Sequence, residues 1–405
     1  MKKNLLFVSN TPPFKKFGGG QHTAEIFLNC LKKEFKVSIL FWKNPTFQKK
    51  DSELQKKLKP YSYLCLNNNN PKYQKYKKFF SIIFPIKNFN PYGLEINNEV
   101  KNYIKKNTIE YIFIFDYQSL FAFRNYNEVK KIAHSLSPSL FSILRFETSD
   151  DFYIKKFLKS FFFQAYLLKL NYIHKKLITK CKYLLTFSYS DIKKYKRFFN
   201  NKMFYLPMPH EDHSLKKNYK ALSKKINIVH SGYGRNVMTI LSLKWIDNNI
   251  IPLILKRNLQ NKINFFVLGK FTKEIKLKNF SMINSQFLGF VSNKKYGKIL
   301  KTCDAFIFAY PFRIYAYVNR IIGALSVPTP IVCTKTVTDD FRIIKNNIHV
   351  LSSNDPEVFL NNIVKLKYDK KLSAKLKKNS RYIYTKNFSI KNFYQKINFF
   401  IKSIV

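Results

Sequence analysis

The sequence predicts an α/β protein built as two doubly wound parallel-sheet domains facing a cleft. Three observations predict it. Short apolar runs alternate with segments of helical spacing along almost the whole chain. The alternation breaks at the polar, proline-containing stretch PMPHEDHSLKKNYKALSKK, residues 207–225, and then restarts. Each half opens the same way: apolar run, glycine-bearing loop, helix (NLLFVSN then FGGGQHTAEIF; INIVHSG then GYGRN). A chain of 405 residues is also too long for one ordinary core, so two domains of roughly 200 residues are expected.

In the first half, NLLFVSN reads as a strand, and the helix after the glycines places Ala24, Phe27, Leu28 and Leu31 on one face. KVSILFW, YSYLCL, IEYIFIF up to Asp116, SLFSILRF and KYLLTFS are the further strands. EINNEVKNYIKKN and FLKSFFFQAYLLKLNYIHKKLITK are helical between them. In the second half, INIVHSG, KINFFVLG, QFLGFV, DAFIFAY, PIVCT and HVLSS read as strands. NVMTILSLKWIDNN, KKYGKILKTC and NRIIGALSV are the helices between them, and DPEVFLNNIVKLKYD and KKLSAKLKKNSRYIYTK close the half. The expected domains are 1–208, a linker 209–225, a domain 226–385, and a closing helix over 386–405 that can cross back to the first.

Hydrophobic residues make up 46% of the chain, enough for packed cores, which excludes global disorder. The formal net charge is +50, with nine arginines among 73 basic residues. A lysine excess of this kind has two readings. It is a solvated surface produced by codon bias, or it favours polyanions such as an anionic membrane surface, nucleic acid or phosphorylated substrates. No helix-turn-helix, zinc-finger or RNP-like pattern occurs, so nucleic acid is not expected as a partner. The five cysteines lack metal-ligand or CxxC spacing and read as buried thiols of a reducing compartment. No apolar run approaches the roughly 18 residues of a spanning helix, so no transmembrane span is expected.

Glycine is scarce, ten in all, and most of it falls at strand–loop–helix junctions: Gly18, Gly19, Gly20, Gly232, Gly234, Gly269 and Gly289. Such loops let backbone N–H groups approach an anion, and the following helix N-terminus favours negative charge. The triple glycine lacks the Lys-Ser/Thr of a phosphate loop and the spacing of a dinucleotide fingerprint. It is expected to shape a lip of the cleft.

The second half resembles the GT-B glycosyltransferases, particularly the family 4 type that uses nucleotide-sugar donors and is built of two Rossmann-like domains. The resemblance rests on SGYGRNVMTILSLKWIDNNIIPLI (Gly232, Asn236, Trp245, Pro252), on FFVLG ending at Gly269, and on FLGFVSNKKYGKILKTCDAFIFAYPFRI (Asp304, Pro311, Arg313). YVNRIIGALSVPTPIV continues it, with Asn319 and Arg320 opening a helix. In the first half FGGGQHTAEIF, ILRFETSDDFY and KYLLTFSYSDIKKYK are similar to corresponding segments. The chain departs from the pattern where the family carries a Glu that binds the nucleotide ribose, here Gly323, and where its companion Glu falls on Tyr315. Glu147, Thr148 and Asp150 stand where His, Asn and Glu are common.

The resemblance implies a bacterial hexosyltransferase of surface polysaccharide biosynthesis. It would act in the cytoplasm or on the inner face of the cell membrane, with retention of configuration, on a UDP-, GDP- or similar donor, with no tightly bound cofactor or metal. The acceptor would be a lipopolysaccharide, capsule or other lipid-linked glycan. It implies a donor site at Gly232, Arg235, Asn236, Gly269, Lys270, Arg313, Val318, Asn319, Arg320 and Gly323. Arg235, Arg313 and Arg320 are diphosphate contacts or surface arginines. The backbone N–H groups of Val318 and Asn319 could cap the diphosphate. On the acceptor side stand Gly18, Gly19, Gly20 and His22, the last equally readable as a surface residue of the helix start. Asp116, Glu147 and Asp150 are the candidate catalytic acids: Asp116 is a base or a strand-end cap, and the others are base candidates or partners of Lys155 and Lys156. Besides a polyanion-binding protein read from charge alone, two other readings stay open. One is a non-catalytic GT-B relative binding a glycan or partner; the other is a sugar-nucleotide epimerase of similar fold.

Overall fold

The computed structural model describes residues 2–14, 19–43, 51–66, 94–134, 168–187, 189–214, 224–232, 234, 237–271, 275, 277–310 and 319–404. The chain forms two compact units, one of Met1–Pro207 with Tyr394–Val405, the other of Met208–Phe393.

Among the described residues the first unit is built on a seven-stranded sheet, β1 (Lys3–Ser9), β2 (Phe35–Trp42), β3 (Ser62–Leu66), β4 (Tyr111–Ile114), β5 (Lys130–His134), β6 (Tyr183–Thr186) and β7 (Lys202–Tyr205). Its order is β3-β2-β1-β4-β5-β6-β7, and the neighbouring strands pair in parallel. Parallel strands covered on both faces need continuous apolar runs. The central strands supply them: LLFV of β1 and YIFI of β4 are buried throughout. Helices Gly19–Glu34 and Asn98–Lys106 and helical residues 168–179 belong to the crossovers. KKIAH and KMFY, unremarked as sequence because each is short and begins with lysine, add β5 and β7. SLFSILRF lies outside the described residues.

The C-terminal helix Ile390–Ile404 buries Phe400, Ile401 and Ile404. Phe400 meets Tyr183 and Phe204 edge-on, and Tyr111 Oη donates to the Ile404 carbonyl at 3.0 Å. These last residues complete the first unit's core.

Among the described residues the second unit carries six strands, β8 (Ile226–Ser231), β9 (Ile263–Leu268), β10 (Ser285–Gly289), β11 (Ala305–Phe308), β12 (Ile331–Cys333) and β13 (Leu351–Ser352). They run β10-β9-β8-β11-β12-β13, all parallel. Both sheets therefore reverse direction of winding beside their first strand, between β1 and β4 and between β8 and β11. In an open doubly wound sheet, that reversal leaves a crevice at the carboxyl ends of the two strands, where ligands bind. Together the units give two doubly wound α/β folds, as the alternation of runs predicted.

Candidate functional site

The switch point of the second sheet opens into a cavity of about 380 Å³. Its floor begins where β8 ends. Ser231 and Gly232 line it, and Gly232 N donates to Leu268 O at 2.8 Å. The next strand ends at Gly269, with φ at +121°. A Cβ there would lie 1.6 Å from Gly232 O, so two backbones cross at a distance only glycine permits.

A Cβ on Gly232 would fall 2.3 Å from Arg320 Nη1 and 2.4–2.5 Å from the Thr239 side chain. The missing side chain is what lets a guanidinium and a hydroxyl converge on this turn. Arg320 is held there by its Nη1 donating to Ser231 O at 2.6 Å and by Nη2 donating to Tyr310 Oη. Its guanidinium carbon lies 5.6 Å from the Phe308 ring centre and 5.8 Å from that of Tyr310. Thr239, in helix Val237–Trp245, is fully buried, lines the cavity, and leaves Oγ1 without a hydrogen-bond partner. A buried hydroxyl left unpaired beside a fixed cation is a place built for a ligand acceptor group such as a phosphate oxygen.

The opposite wall comes from residues the sequence reading left in its linker. Pro209–Ser214 is pinned to the second unit's own helices. His210 N donates to Phe388 O at 2.9 Å, Tyr384 Oη to His210 O at 2.8 Å, and His213 N to Ser326 Oγ at 3.2 Å. Arg381 forks onto Asp212 at 2.8 and 2.6 Å and holds the Asp212 carboxyl at about 2. His210 and His213 then meet edge to face at 5.1 Å, and His213 meets Tyr296 at 5.5 Å. Burial pushes Tyr296 up to about 12, so it stays a neutral phenol. Phe290, 87% exposed, stands at the cavity mouth.

Of the residues expected at a donor site, Gly232, Gly269 and Arg320 line this one cavity. Gly323 backs its wall: a Cβ there would come 3.2 Å from Tyr296 Oη and 3.3 Å from His210 Cε1. Asn319 opens helix Asn319–Ser326. Lys270 is exposed, outside the cavity lining, and contributes its carbonyl to Gly234 N at 2.9 Å. Arg235, Asn236, Arg313 and Val318 lie outside the described residues, as do Gly18, Glu147 and Asp150. Sequence reasoning missed Thr239, His210, His213, Tyr296 and Phe290. Only the histidines left a trace, two of the chain's seven within four residues.

The first sheet's switch point has its own polar centre. Asp116 caps helix Tyr117–Ala122, its Oδ1 accepting from Ser119 N at 2.8 Å and its Oδ2 from Asn10 N at 2.7 Å across the crevice. Burial raises its carboxyl above the usual range against the pull of these bonds. Next to it, His134 ends β5 with Nδ1 2.8 Å from Phe115 O, inside a box of Phe27, Phe115 and Phe187. Gly19 and Gly20 form the first turn of helix Gly19–Glu34, and a Cβ at Gly20 would meet nothing within 4 Å. His22 is half-buried in that helix.

No protein-family model matches the chain, and comparison with curated proteins finds no relative by sequence. Solved structures match over its full length. Sucrose-phosphate synthase from Thermosynechococcus elongatus superposes with a TM-score of 0.65 at 11% identity, covering 100% of this chain and 99% of that one. Anabaena HepE in complex with UDP gives 0.65 and 11%, covering 100% of both. S. aureus TarM in complex with fondaparinux, alpha-GlcNAc-glycerol and UDP gives 0.63 and 11%, covering 97% and 98%. The fold is thus the GT-B fold, two Rossmann-like α/β domains in one chain. Among the described residues no helix is long and apolar enough to cross a membrane.

Proposed function

We propose that the chain is a glycosyltransferase that takes its sugar from a nucleoside diphosphate donor bound at the second sheet's switch point. The observation that carries this is the convergence of Arg320 and the unpaired Thr239 hydroxyl on Gly232, at the end of β8. Glycosyl transfer loads negative charge onto the leaving diphosphate. A fixed guanidinium in a partly water-excluded cavity stabilises that charge most where it grows. HepE and TarM, which share the fold, were solved with UDP. On this reading the N-terminal end of helix Asn319–Ser326 faces the donor's phosphates. Asp116 orients the acceptor hydroxyl on the first sheet, its raised carboxyl suiting a base.

Transfer proceeds with retention and without a tightly bound metal, as the resemblance implies. The acceptor is a surface glycan or its lipid-linked precursor, and the +50 charge holds the enzyme against the anionic inner leaflet. A second reading, a GT-B relative that binds but does not transfer, draws support from Asp116: both its oxygens already accept backbone N–H groups.

Titration calorimetry with UDP, GDP and their sugars is the test. Binding that Arg320→Met weakens by about tenfold or more supports a donor site. No binding by any nucleotide sinks the enzyme reading. Binding with no turnover across a panel of acceptors selects the second.

A further inference from the structure

The wall that carries His210 and His213 is a short irregular segment, Pro209–Ser214, belonging to no helix. Such a segment keeps one position only where other groups fix it. Much of the fixing comes from one guanidinium. Arg381, in helix Lys370–Asn387, donates through Nη1 to Asp212 Oδ1 at 2.8 Å and to Ser326 O at 2.7 Å, and through Nη2 to Asp212 Oδ2 at 2.6 Å. Its guanidinium carbon lies 5.3 Å from the centre of the Tyr384 ring, and Tyr384 Oη donates to His210 O at 2.8 Å.

Ser326 ends helix Asn319–Ser326, the helix that brings Arg320 to the cavity. That helix is a fixed body, with Ile321, Ile322, Ala324 and Leu325 fully buried. Ser326 is tied twice more: its Oγ donates to Gly323 O at 2.7 Å and accepts from His213 N at 3.2 Å. Arg381 therefore joins the segment that carries the two histidines to the helix that carries Arg320. It stands outside the cavity lining, so its effect on a ligand passes through the residues it holds.

A guanidinium suits this task. Its planar fork spans both oxygens of a carboxylate and keeps an N–H for a carbonyl, whereas an ammonium is a single atom. An exposed ion pair by itself contributes little, but this one is bidentate and shared with the carbonyl of a fully buried serine. Asp212 directly precedes His213, so the fork fixes the backbone from which that ring meets His210 and Tyr296. A binding side chain stays effective when its support holds it within about 0.5 Å.

We infer that Arg381 is a positioning residue of the cavity: it locks the histidine wall onto the Arg320 helix, and nucleotide affinity depends on it through His213. The inference rests on the proposed donor-binding role of the cavity and adds the group that supports it from outside.

The test titrates the full chain with uridine, guanosine, adenosine and thymidine diphosphates and follows those that bind through double-mutant cycles. Arg381→Met should weaken them by about threefold to tenfold, and Asp212→Asn by a similar factor. With His213→Ala already in place, Arg381→Met should add less than about twofold, because the ring it positions is gone. With Thr239→Val in place its effect should appear in full, since the fork does not reach helix Val237–Trp245. A general loss of structure would add in both backgrounds, and that result overturns the inference. Unchanged binding in Arg381→Met and Asp212→Asn overturns it too, and either result leaves the donor site standing. Arg381→Lys, which keeps the charge without the fork, replaces Arg381→Met if the latter does not fold, and is read in the same way. If none of the four nucleotides binds the unmodified chain, the proposed function falls and takes this inference with it.

Discussion

Gly269 and Gly289 both hold positive φ, at +121° and +64°, in unlike surroundings. A Cβ at Gly289 meets nothing within 4 Å, while one at Gly269 strikes Gly232 O. Gly289→Ala should therefore cost about 1 kcal/mol, the strain of the left-handed backbone alone. Gly269→Ala adds a backbone collision and should cost about 3 kcal/mol or more, with loss of nucleotide affinity because Gly232 must move. Urea unfolding and nucleotide titration of the two variants would check the contrast; equal costs would contradict the crossing. Asp247 is a second single-residue prediction. It is 2% exposed, and its carboxylate accepts from the backbone N–H groups of Lys278, Asn279 and Phe280 at 2.8–3.0 Å. Asp247→Ala leaves three donors unsatisfied and should cost about 3 kcal/mol or more, measured by chemical denaturation.

At the scale of the element, β5 and β8 each carry a histidine near the carboxyl end. His134 is buried in its aromatic box, and burial lowers it to about 4. His230, whose Nε2 lies 3.0 Å from Ser242 Oγ, is lowered to about 3 by burial and then by Arg320. Both folded values lie below the ordinary imidazole value of about 6.5, so the unfolded chain binds more protons in between. Stability is then full above about pH 6.5 and falls as pH drops toward 4, flattening below the folded values. For His134 the loss amounts to about 3 kcal/mol. His134→Gln, which keeps a donor for Phe115 O, should flatten the decline seen in the first unit; an unchanged pH profile would show that the ring is not the cause. The same elements show what a short strand hides. KKIAH begins with two lysines, yet Lys131 is buried, with its Nζ donating to Tyr126 O at 2.6 Å. An alternation pattern read from sequence scores that lysine as solvent-facing.

On the scale of the whole molecule, two predictions concern the surface and the chain end. Phe399, Tyr382 and Tyr368 are 72%, 61% and 68% exposed on the closing helices, among lysines. If the charge serves a membrane, the protein should float with vesicles containing phosphatidylserine at low salt and release as salt shortens the Debye length. Indifference to anionic vesicles would assign the lysines to a solvated surface. Removing residues 394–405 strips Phe400, Ile401 and Ile404 from the first unit's core. That should cost several kcal/mol, at about 2 kcal/mol for each large apolar side chain lost, and expose dye-binding apolar surface. The GT-B fold belongs to this scale too, since the match to known folds spans the whole chain while no single motif carries it.

What the amino-acid sequence determined by itself was whatever depends on near neighbours along the chain. The six strands of the second sheet, the α/β class, the glycine turns at 232 and 269, and the Arg320 helix start follow from periodicity, turn chemistry and short spacing. What only the tertiary structure decided was which distant groups meet. Thr239 was one apolar-helix residue among several until Gly232 left room for it. His210 and His213 stood in a polar, proline-containing stretch until contacts with helix residues 381–388 pinned it as a wall of the cavity. Local sequence carries propensity, but a binding site is a set of contacts between distant segments, here as many as 174 residues apart. Those contacts are fixed by the order in which parallel strands pair, and no window of sequence contains that order.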